Sequence, residues 1–275
     1  MASRWSEELA FASDLAQRSG ELLKASYERV ERIHRKSARD VVTEVDYASE
    51  KLAIGAIAGR YPNDAILAEE SGHHERAASG GRSSGRVWVV DPLDGTVNYA
   101  NGIPYFCVSV AMVDGDTPAV GVIRDPMRGD SYAAAADLPA MLNGHRVRAS
   151  QKAGLSDFVI SLAIIGRGGI GRERRIGREI RIPRRMGSAA LSLAYVANGR
   201  FDAFVQNGGL SLWDVAAAGL IAERAGATVS DLDGGPWWDP SRKSATVSIV
   251  AAPQPHHGKL LELLHASGTR VRTRR

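Results

Sequence analysis

Hydrophobic residues near the start of the chain recur at the spacing of a helix. Over residues 5–27 they stand three to four positions apart and predict an amphipathic helix that presents Trp5, Leu9, Ala12, Ala16 and Leu23 on one face. A second helix is predicted over residues 47–60, with Asp46 as its N-cap and Pro62 just beyond its end.

Short apolar runs between polar turns predict strands in the next part of the chain. Residues 87–90 form a continuous apolar run, which is typical of a strand buried on both faces, and residues 65–68 form a shorter one. Runs over 106–113 and 119–123 flank a polar turn and predict a hairpin. The polar, glycine-rich segment 71–86 predicts a flexible loop.

The second half of the chain adds further strands and helices. Strands are predicted over 158–164, 202–205 and 247–251, and helices over the arginine-rich stretch 166–185 and over 189–198, 215–225 and 258–265. Because strands and helices come in blocks, the pattern favours layered sheets and helices over a repeated βαβ barrel. We expect two subdomains, 1–150 and 151–275, that share one cleft.

Composition adds limits on the class of protein. The 275 residues are 44% hydrophobic and 24% charged, which is ordinary for a soluble globular enzyme. No run approaches 18 apolar residues and no basic start precedes an apolar segment, so neither a membrane span nor a secretory signal is predicted. The single cysteine, Cys107, lies in an apolar run and is expected to be a buried strand thiol. A cytoplasmic location fits this cysteine usage.

The charge distribution leaves one alternative open. The net charge is +4, and eight arginines fall within residues 166–185. Such a stretch can bind nucleic acid or another anionic partner. Because no aromatic residues are interleaved for base stacking, a solvated helix face is the favoured interpretation and nucleic-acid binding is not expected. An RNA- or protein-binding regulatory module that uses this stretch remains the non-enzymatic alternative.

The segment with the clearest chemistry is WVVDPLDGTVN, residues 88–98. It places Asp91 and Asp94 together at the end of a buried strand, where two ionised carboxylates would cost several kcal/mol without a cation. The nearby donors are carboxylates, a hydroxyl and backbone carbonyls. This donor set suits magnesium, manganese or calcium and not zinc. Gly95 and Thr96, at a predicted helix start, add amides suited to a phosphate.

Three other acidic segments support a metal site. They are DVVTEVD (40–46), AEESG (68–72) and LWDV (212–215), which contribute Asp46, Glu69 and Asp214 at the ends of predicted strands or the starts of predicted helices. Taken singly, each acid is more often a helix cap or a surface charge.

Together these segments resemble the inositol monophosphatase family. The resemblance is to its two signatures, here WVVDPLDGTVNY (88–99) and WDVAAAGLIAERAG (213–226), supported by DVVTEVD and AEESG, and it extends over residues 7–265. It implies an αβαβα sandwich of the type shared with fructose-1,6-bisphosphatase. It also implies phosphomonoester hydrolysis with two to three Mg²⁺ ions, with Mn²⁺ as a possible substitute, inhibition by lithium and a homodimer.

The resemblance also implies a set of metal ligands. Glu69, Asp91 and the carbonyl of Leu93 would hold the first ion. Asp91, Asp94 and Asp214 would hold the second, and a third, weaker ion would share Glu69.

Catalytic and substrate-binding residues follow from the same resemblance. Asp46 and Thr96 would act with Glu69 to orient and deprotonate the attacking water. The family's sugar-phosphate-specific members carry a glutamate shortly before the second signature, and either Gln206 or Asn207 stands near that position here. The positions that resemble substrate-binding positions are Lys36, Asp94, Gly95, Thr96, Gly187, Ser188, Ala189, Gln206 and Asp214.

The expected activity is an inositol-1(or 4)-monophosphatase that releases phosphate from myo-inositol monophosphate. No Ser-His-Asp or Cys-His nucleophile set is visible, so direct attack by a metal-activated water is favoured. Within the same chemistry the alternatives are histidinol-phosphate phosphatase, fructose-1,6-bisphosphatase and 3′-phosphoadenosine phosphatase.

Overall fold

The computed structural model describes residues 3–29, 33–35, 41–74, 84–166 and 168–266. Within them the α-helices are α1 Ser6–Ser26, α2 Glu44–Arg60, α3 Thr96–Ala100, α4 Gly169–Glu179, α5 Ala189–Ala194, α6 Leu212–Arg224 and α7 His256–His265. The strands are β1 Ile33–Arg35, β2 Val41–Thr43, β3 Ala65–Ala68, β4 Gly72–His74, β5 Arg86–Asp94, β6 Cys107–Asp114, β7 Thr117–Asp125, β8 Asp130–Ala135, β9 Met141–Leu142, β10 His145–Arg146, β11 Val159–Ile164, β12 Ile182–Arg184, β13 Ala203–Leu210, β14 Thr228–Ser230 and β15 Val247–Ala252.

The strands form two large sheets and one short pair. The eight-stranded sheet has the order β10-β9-β8-β7-β6-β5-β3-β4, in which β3 and β5 are parallel and the other neighbours are antiparallel. The five-stranded sheet has the order β12-β11-β13-β15-β14, in which β11 runs parallel to both β12 and β13. Strands β1 and β2 form the separate antiparallel pair.

Three layers of helices alternate with the two large sheets, which gives five layers in all. Helices α1 and α2 pack on one face of the eight-stranded sheet, and α5 and α6 fill the space between the two sheets. Helices α4 and α7 cover the outer face of the five-stranded sheet. The expected αβαβα sandwich is therefore confirmed. The predicted division into 1–150 and 151–275 stays a prediction.

Strand β5 positions the acidic segment. Trp88 and Val90 pack toward α1 and α2, whereas Val89 packs toward α5 and α6, so both faces of the strand are buried. At the end of the strand, Asp91 pairs with Ser109 and Asp94 with Cys107, which leaves one extra residue on β5. This bulge turns the end of the strand and re-aims the side chains that follow.

Helix α2 begins earlier than the sequence suggested. Its N-cap is Thr43, and Asp46 is the third residue of the helix, so the predicted role of Asp46 as N-cap is wrong. Thr43 Oγ1 accepts from the Val45 amide at 3.2 Å, while the Asp46 carboxylate accepts from the Thr43 amide at 2.8 Å. The two side chains thus form a reciprocal capping box, which satisfies amides that a helix start leaves unpaired.

Other elements differ from the prediction in extent. Part of the expected loop 71–86 forms strand β4 against β3, and residues 75–83 lie outside the described residues. The arginine-rich stretch contains α4 and then the edge strand β12, and the helix predicted over 189–198 becomes a 3₁₀ turn after Ala194. Strands β8 and β14 were not predicted. Among the described helices, none has the length and apolar character needed to cross a membrane.

Candidate active site

Carboxylates from three separate elements converge at one edge of the eight-stranded sheet. Strands β3 and β5 are parallel and Ala68 pairs with Val90, so the residues that come next, Glu69 and Asp91, lie at the same edge. Asp94 closes β5, and α6 brings Asp214 from the other side. One carboxylate oxygen from each of Asp91, Asp94 and Asp214 lies within 4.8 Å of the others.

Two neighbouring cavities surround this cluster. The smaller, of about 150 Å³, is lined by Glu69, Asp91, Leu93, Asp94, Gly95, Thr96, Val97, Gly187 and Asp214. The larger, of about 340 Å³, shares Asp94, Gly187 and Asp214 and is further lined by Ser161, Ala163, Arg185, Met186, Ser188, Ala189, Ser192, Phe204, Gln206, Gly209 and Leu210. We call them the acidic cavity and the outer cavity. All five predicted metal-binding residues line the acidic cavity.

Burial and mutual repulsion disfavour the charged forms of these acids. Burial, followed by repulsion from Glu69, Asp94 and Asp214, raises the pKa of Asp91 well above its ordinary value. Burial and the charges of Asp94 and Glu69 do the same to the pKa of Asp214. The pKa of Asp94 is also raised by burial, against the opposing effect of its hydrogen bonds. A bound cation would remove this cost and keep the carboxylates ionised.

The donor set fits a hard divalent cation. In the described lining of the acidic cavity, the side-chain donors are four carboxylates and the Thr96 hydroxyl, and Leu93 adds a backbone carbonyl. Oxygen donors of this kind suit Mg²⁺ or Mn²⁺, whereas zinc sites use histidine and cysteine. Cys107 is fully buried, as predicted, and its Sγ lies 3.8 Å from Asp94 Oδ2.

Capping boxes orient two of the acids. The Ser211 amide donates to Asp214 Oδ2 at 2.6 Å, just as the Thr43 amide donates to Asp46 Oδ2. In each carboxylate the helix start occupies one oxygen and leaves the other for a second partner. For Asp46 that partner is Thr96, whose Oγ1 lies 2.9 Å from Asp46 Oδ1 and 3.0 Å from the Leu93 carbonyl. Burial raises the pKa of Asp46, and bonds from Thr43 and Thr96 partly oppose that effect.

The N-terminus of α5 is hydrogen-bonded to the carboxylate of Asp94. The Ser188 hydroxyl and the amides of Ala189 and Ala190 donate to its two carboxylate oxygens, the amides at 3.2 and 2.7 Å. The predicted segment 187–189 therefore lies where the two cavities meet. Gly187 has φ of +83°, and a Cβ there would lie 2.8 Å from Asn98 Oδ1. Only glycine fits this position without displacing Asn98.

Asn98 has a role that the sequence did not assign. Its Nδ2 donates to the carbonyls of Tyr105 and Met186, each at 2.7 Å. One side chain therefore holds the loop after α3 against the loop before α5. The sequence shows Asn98 within the DGTVN segment, but the carbonyls of Tyr105 and Met186 become its neighbours only in the folded chain. Arg185, which lines the outer cavity, also escaped assignment.

The structure separates Gln206 from Asn207. Gln206 lines the outer cavity beside Ala163, its partner on β11. Asn207 is half-buried, and its side chain lies toward Ile165 and Ser248 and outside the lining of the outer cavity. Gln206 is thus the residue in reach of a molecule in the cavity. Lys36 lies outside the described residues, so its predicted role stays a prediction.

Comparisons with known proteins identify the family. The chain matches the model of the inositol monophosphatase family over residues 4–269. Nus factor SuhB of Pseudomonas aeruginosa is 38% identical over 242 residues, which cover 82% of this chain and 86% of that protein. Nus factor SuhB of Escherichia coli is 37% identical over 243 residues, with the same coverage of each chain.

Solved structures extend the agreement to the fold. The extragenic suppressor protein suhB from Bartonella henselae superposes with a TM-score of 0.86 at 32% identity, covering 95% of this chain and all of that one. An IMPase from Thermotoga maritima gives a TM-score of 0.82 at 30% identity, covering 94% and 96%. The family match, the two sheets and the converging acids support a metal-dependent phosphatase. This chain belongs to the inositol monophosphatase family.

Proposed function

We propose that this protein is a Mg²⁺-dependent phosphomonoesterase whose substrate is myo-inositol 1(or 4)-monophosphate. The observation that carries the proposal is the convergence of Asp91, Asp94 and Asp214 in a cavity that opens beside a larger one. Family membership supports the phosphatase chemistry. The finer choice of an inositol phosphate rests on the resemblance and on the neutral polar groups of the outer cavity.

The chain's own residues divide the work of hydrolysis. Divalent cations held by Glu69, Asp91, the Leu93 carbonyl, Asp94 and Asp214 would supply positive charge that stabilises the phosphoryl and leaving oxygens. Thr96 Oγ1 donates its proton to Asp46 Oδ1, which leaves its lone pairs free to accept from a water in the acidic cavity. Glu69 lines the same cavity and is placed to take a proton from the water while the water oxygen bonds to phosphorus and the bond from phosphorus to the ester oxygen breaks.

The outer cavity is suited to a polyol leaving group. Ser161 and Gln206 offer a hydroxyl and an amide, and Phe204 and Leu210 supply apolar surface. On the parallel strands β11 and β13, Ser161 is the partner of Phe204, and Ala163 is the partner of Gln206. These four side chains therefore share one face of the sheet, since alternate residues of a strand point the same way.

A phosphate-release assay tests the proposed function. The panel contains inositol-1-phosphate, histidinol phosphate, fructose-1,6-bisphosphate and 3′-phosphoadenosine phosphate, each with Mg²⁺ and with EDTA. We expect Mg²⁺-dependent release with the highest kcat/KM on inositol-1-phosphate and inhibition by millimolar lithium. Absence of release from every ester in Mg²⁺ would overturn the proposal. A higher kcat/KM on another ester would replace only the substrate assignment. The family resemblance also suggests a homodimer, and gel filtration with light scattering measures the mass that tests this suggestion.

A second proposed role is RNA binding by helix α4. Arg174 and Arg178 lie one turn apart on its exposed face, and neither has an ion-pair partner among the described residues. The relatives from P. aeruginosa and E. coli carry the name Nus factor, which points to a role beyond ester hydrolysis. The expected binding is electrostatic and therefore weakens with salt.

Fluorescence anisotropy with a labelled single-stranded RNA of about 20 nucleotides tests this role. The Arg174→Gln/Arg178→Gln double variant should bind more weakly and show a shallower salt dependence. Arg18→Gln, an exposed arginine of α1, is the matched control. Equal binding by the wild type and the double variant would remove α4 from consideration.

A further inference from the structure

Helix α2 carries two buried polar side chains that the proposed chemistry does not use. Ser49 is fully buried and Glu50 is 4% exposed. Both lie on the same face of the helix as Asp46, three and four residues further on. A buried carboxylate is costly unless it is hydrogen-bonded, so the partners of Glu50 indicate its use.

Glu50 bonds to the backbone beside Glu69. Its Oε2 accepts from the Glu70 amide at 2.8 Å. That amide belongs to the peptide unit that joins Glu69 to Glu70, immediately after strand β3. The bond restrains the backbone that carries Glu69, whose side chain lines the acidic cavity.

Ser49 bonds to the bulge of strand β5. Its Oγ donates to the Pro92 carbonyl at 3.0 Å. The same bulge is held from inside, because the Leu93 amide donates to Asp91 Oδ1 at 3.0 Å. With the Pro92 carbonyl turned toward α2, the orientations of the Asp91 side chain and the Leu93 carbonyl are both restrained.

Asp46 completes the set through its contact with Thr96. Three positions of one helix thus bond to the end of β3, the bulge of β5 and the start of α3. The first and last of them lie four positions apart, or about 6 Å along the helix axis, and a helix is rigid over that distance. Helix α2 therefore fixes the separation between Glu69 and the acids at the end of β5.

Such a restraint is needed because the acids repel one another. One carboxylate oxygen from each of Asp91, Asp94 and Asp214 lies within 4.8 Å of the others, and Glu69 lines the same cavity. A carboxylate on a free chain end would turn away from such neighbours toward solvent. We propose that Glu50 and Ser49 are positioning residues that hold Glu69 and the β5 bulge at the spacing a divalent cation requires. The inference rests on the proposed metal-dependent function.

Three variants test this inference. Glu50→Leu removes the acceptor, Ser49→Ala removes the donor, and Glu50→Gln keeps an acceptor oxygen at the same reach. Calorimetric titration with Mn²⁺ measures metal affinity without turnover, and thermal melts in EDTA measure the stability of the fold. Loss of a partner around metal ligands typically weakens metal binding by 10- to 100-fold.

We expect the Kd for Mn²⁺ to rise about 10-fold in Glu50→Leu and Ser49→Ala and to recover in Glu50→Gln. The value of kcat should fall with it, whereas KM changes little. Ser19→Ala is the matched control: this hydroxyl on α1 is fully buried and has no hydrogen-bond partner within the described structure, so its loss should leave the Kd unchanged.

Two outcomes would overturn the inference. One is a Kd for Mn²⁺ within twofold of wild type in both Glu50→Leu and Ser49→Ala, whether or not their melting temperatures fall. The other is a wild-type protein that binds no Mn²⁺, which would also refute the metal site. If wild type binds Mn²⁺ but releases no phosphate, the proposed function fails while the Kd comparison still decides the positioning role.

Discussion

Asp91→Asn is expected to stabilise the metal-free protein and to remove its stabilisation by Mg²⁺. Asp91 is 1% exposed, and burial together with Glu69, Asp94 and Asp214 raises the pKa of its carboxyl. Asparagine has nearly the same shape and keeps the oxygen that accepts from the Leu93 amide. The substitution therefore removes a charge that the folded chain disfavours, with little change in packing.

The size of the effect follows from the geometry. Two unit charges 4.8 Å apart, the limit for these oxygens, repel by about 3.5 kcal/mol at an effective dielectric constant of 20. Because the carboxyl can take up a proton instead, the gap between pH 7 and its ordinary pKa of 3.8 limits the cost to about 4 kcal/mol. Partial relaxation reduces this, and we expect about 1–3 kcal/mol, which corresponds to about 2–5 °C in Tm for a chain of 275 residues.

Scanning calorimetry in EDTA and in saturating Mg²⁺ measures both effects. The matched control is Asp202→Asn, the same change at an aspartate that is also 1% exposed. Asp202 accepts from Lys152 Nζ and the Val159 amide, each at 2.7 Å, so its loss should lower the Tm. Two results would contradict this prediction. One is a metal-free Tm that falls in Asp91→Asn as it does in the control, and the other is stabilisation of Asp91→Asn by Mg²⁺ as large as that of wild type.

Three further predictions concern catalysis, pH and specificity. Asp94→Asn should lower kcat by about 100-fold or more with an unchanged far-ultraviolet circular dichroism spectrum, because a proposed metal ligand loses its charge. Burial lowers the pKa of His257 below its ordinary 6.5, so the unfolded chain takes up a proton at this residue more readily than the folded chain. The free energy of unfolding, measured with guanidinium in Mg²⁺, should therefore fall as the pH drops below 6.5, and His257→Gln should make this pH dependence shallower. Gln206→Glu should shift kcat/KM by about 10-fold toward inositol-1-phosphate and away from fructose-1,6-bisphosphate, because a carboxylate binds hydroxyls and repels a second phosphate; an unchanged ratio would remove Gln206 from the substrate site.

The elements that sequence reasoning predicted best are those with a single consistent pattern. The apolar run 87–90 became a strand buried on both faces because helices cover the sheet on each side. Helical periodicity sustained along α1 and the apolar run after Asp214 likewise predicted helices, which the structure contains. The acidic segment 88–98 implied a hard-cation site because its donors are all oxygen, which is a property of residue types and not of tertiary contacts.

The features that escaped prediction depend on backbone geometry or on distant partners. Thr43 and Asp46 are both good cap residues, and only their reciprocal bonds show which one begins the helix. Strand β8 is rich in alanine, a residue with low strand propensity, and it is a strand because β7 pairs with it. The choice between Gln206 and Asn207 depends on the register shift of β13 between Gln206 and Leu210, where the sequence allows several registers.

We propose that Asp91, Asp94 and Asp214 converge to hold a divalent cation. The most direct test of this proposal is an anomalous-scattering map from a crystal soaked in Mn²⁺ and measured near the manganese absorption edge. We expect a strong anomalous peak bounded by these three carboxylates and Glu69. A map with no peak there, in crystals whose three carboxylates are ordered, would contradict it.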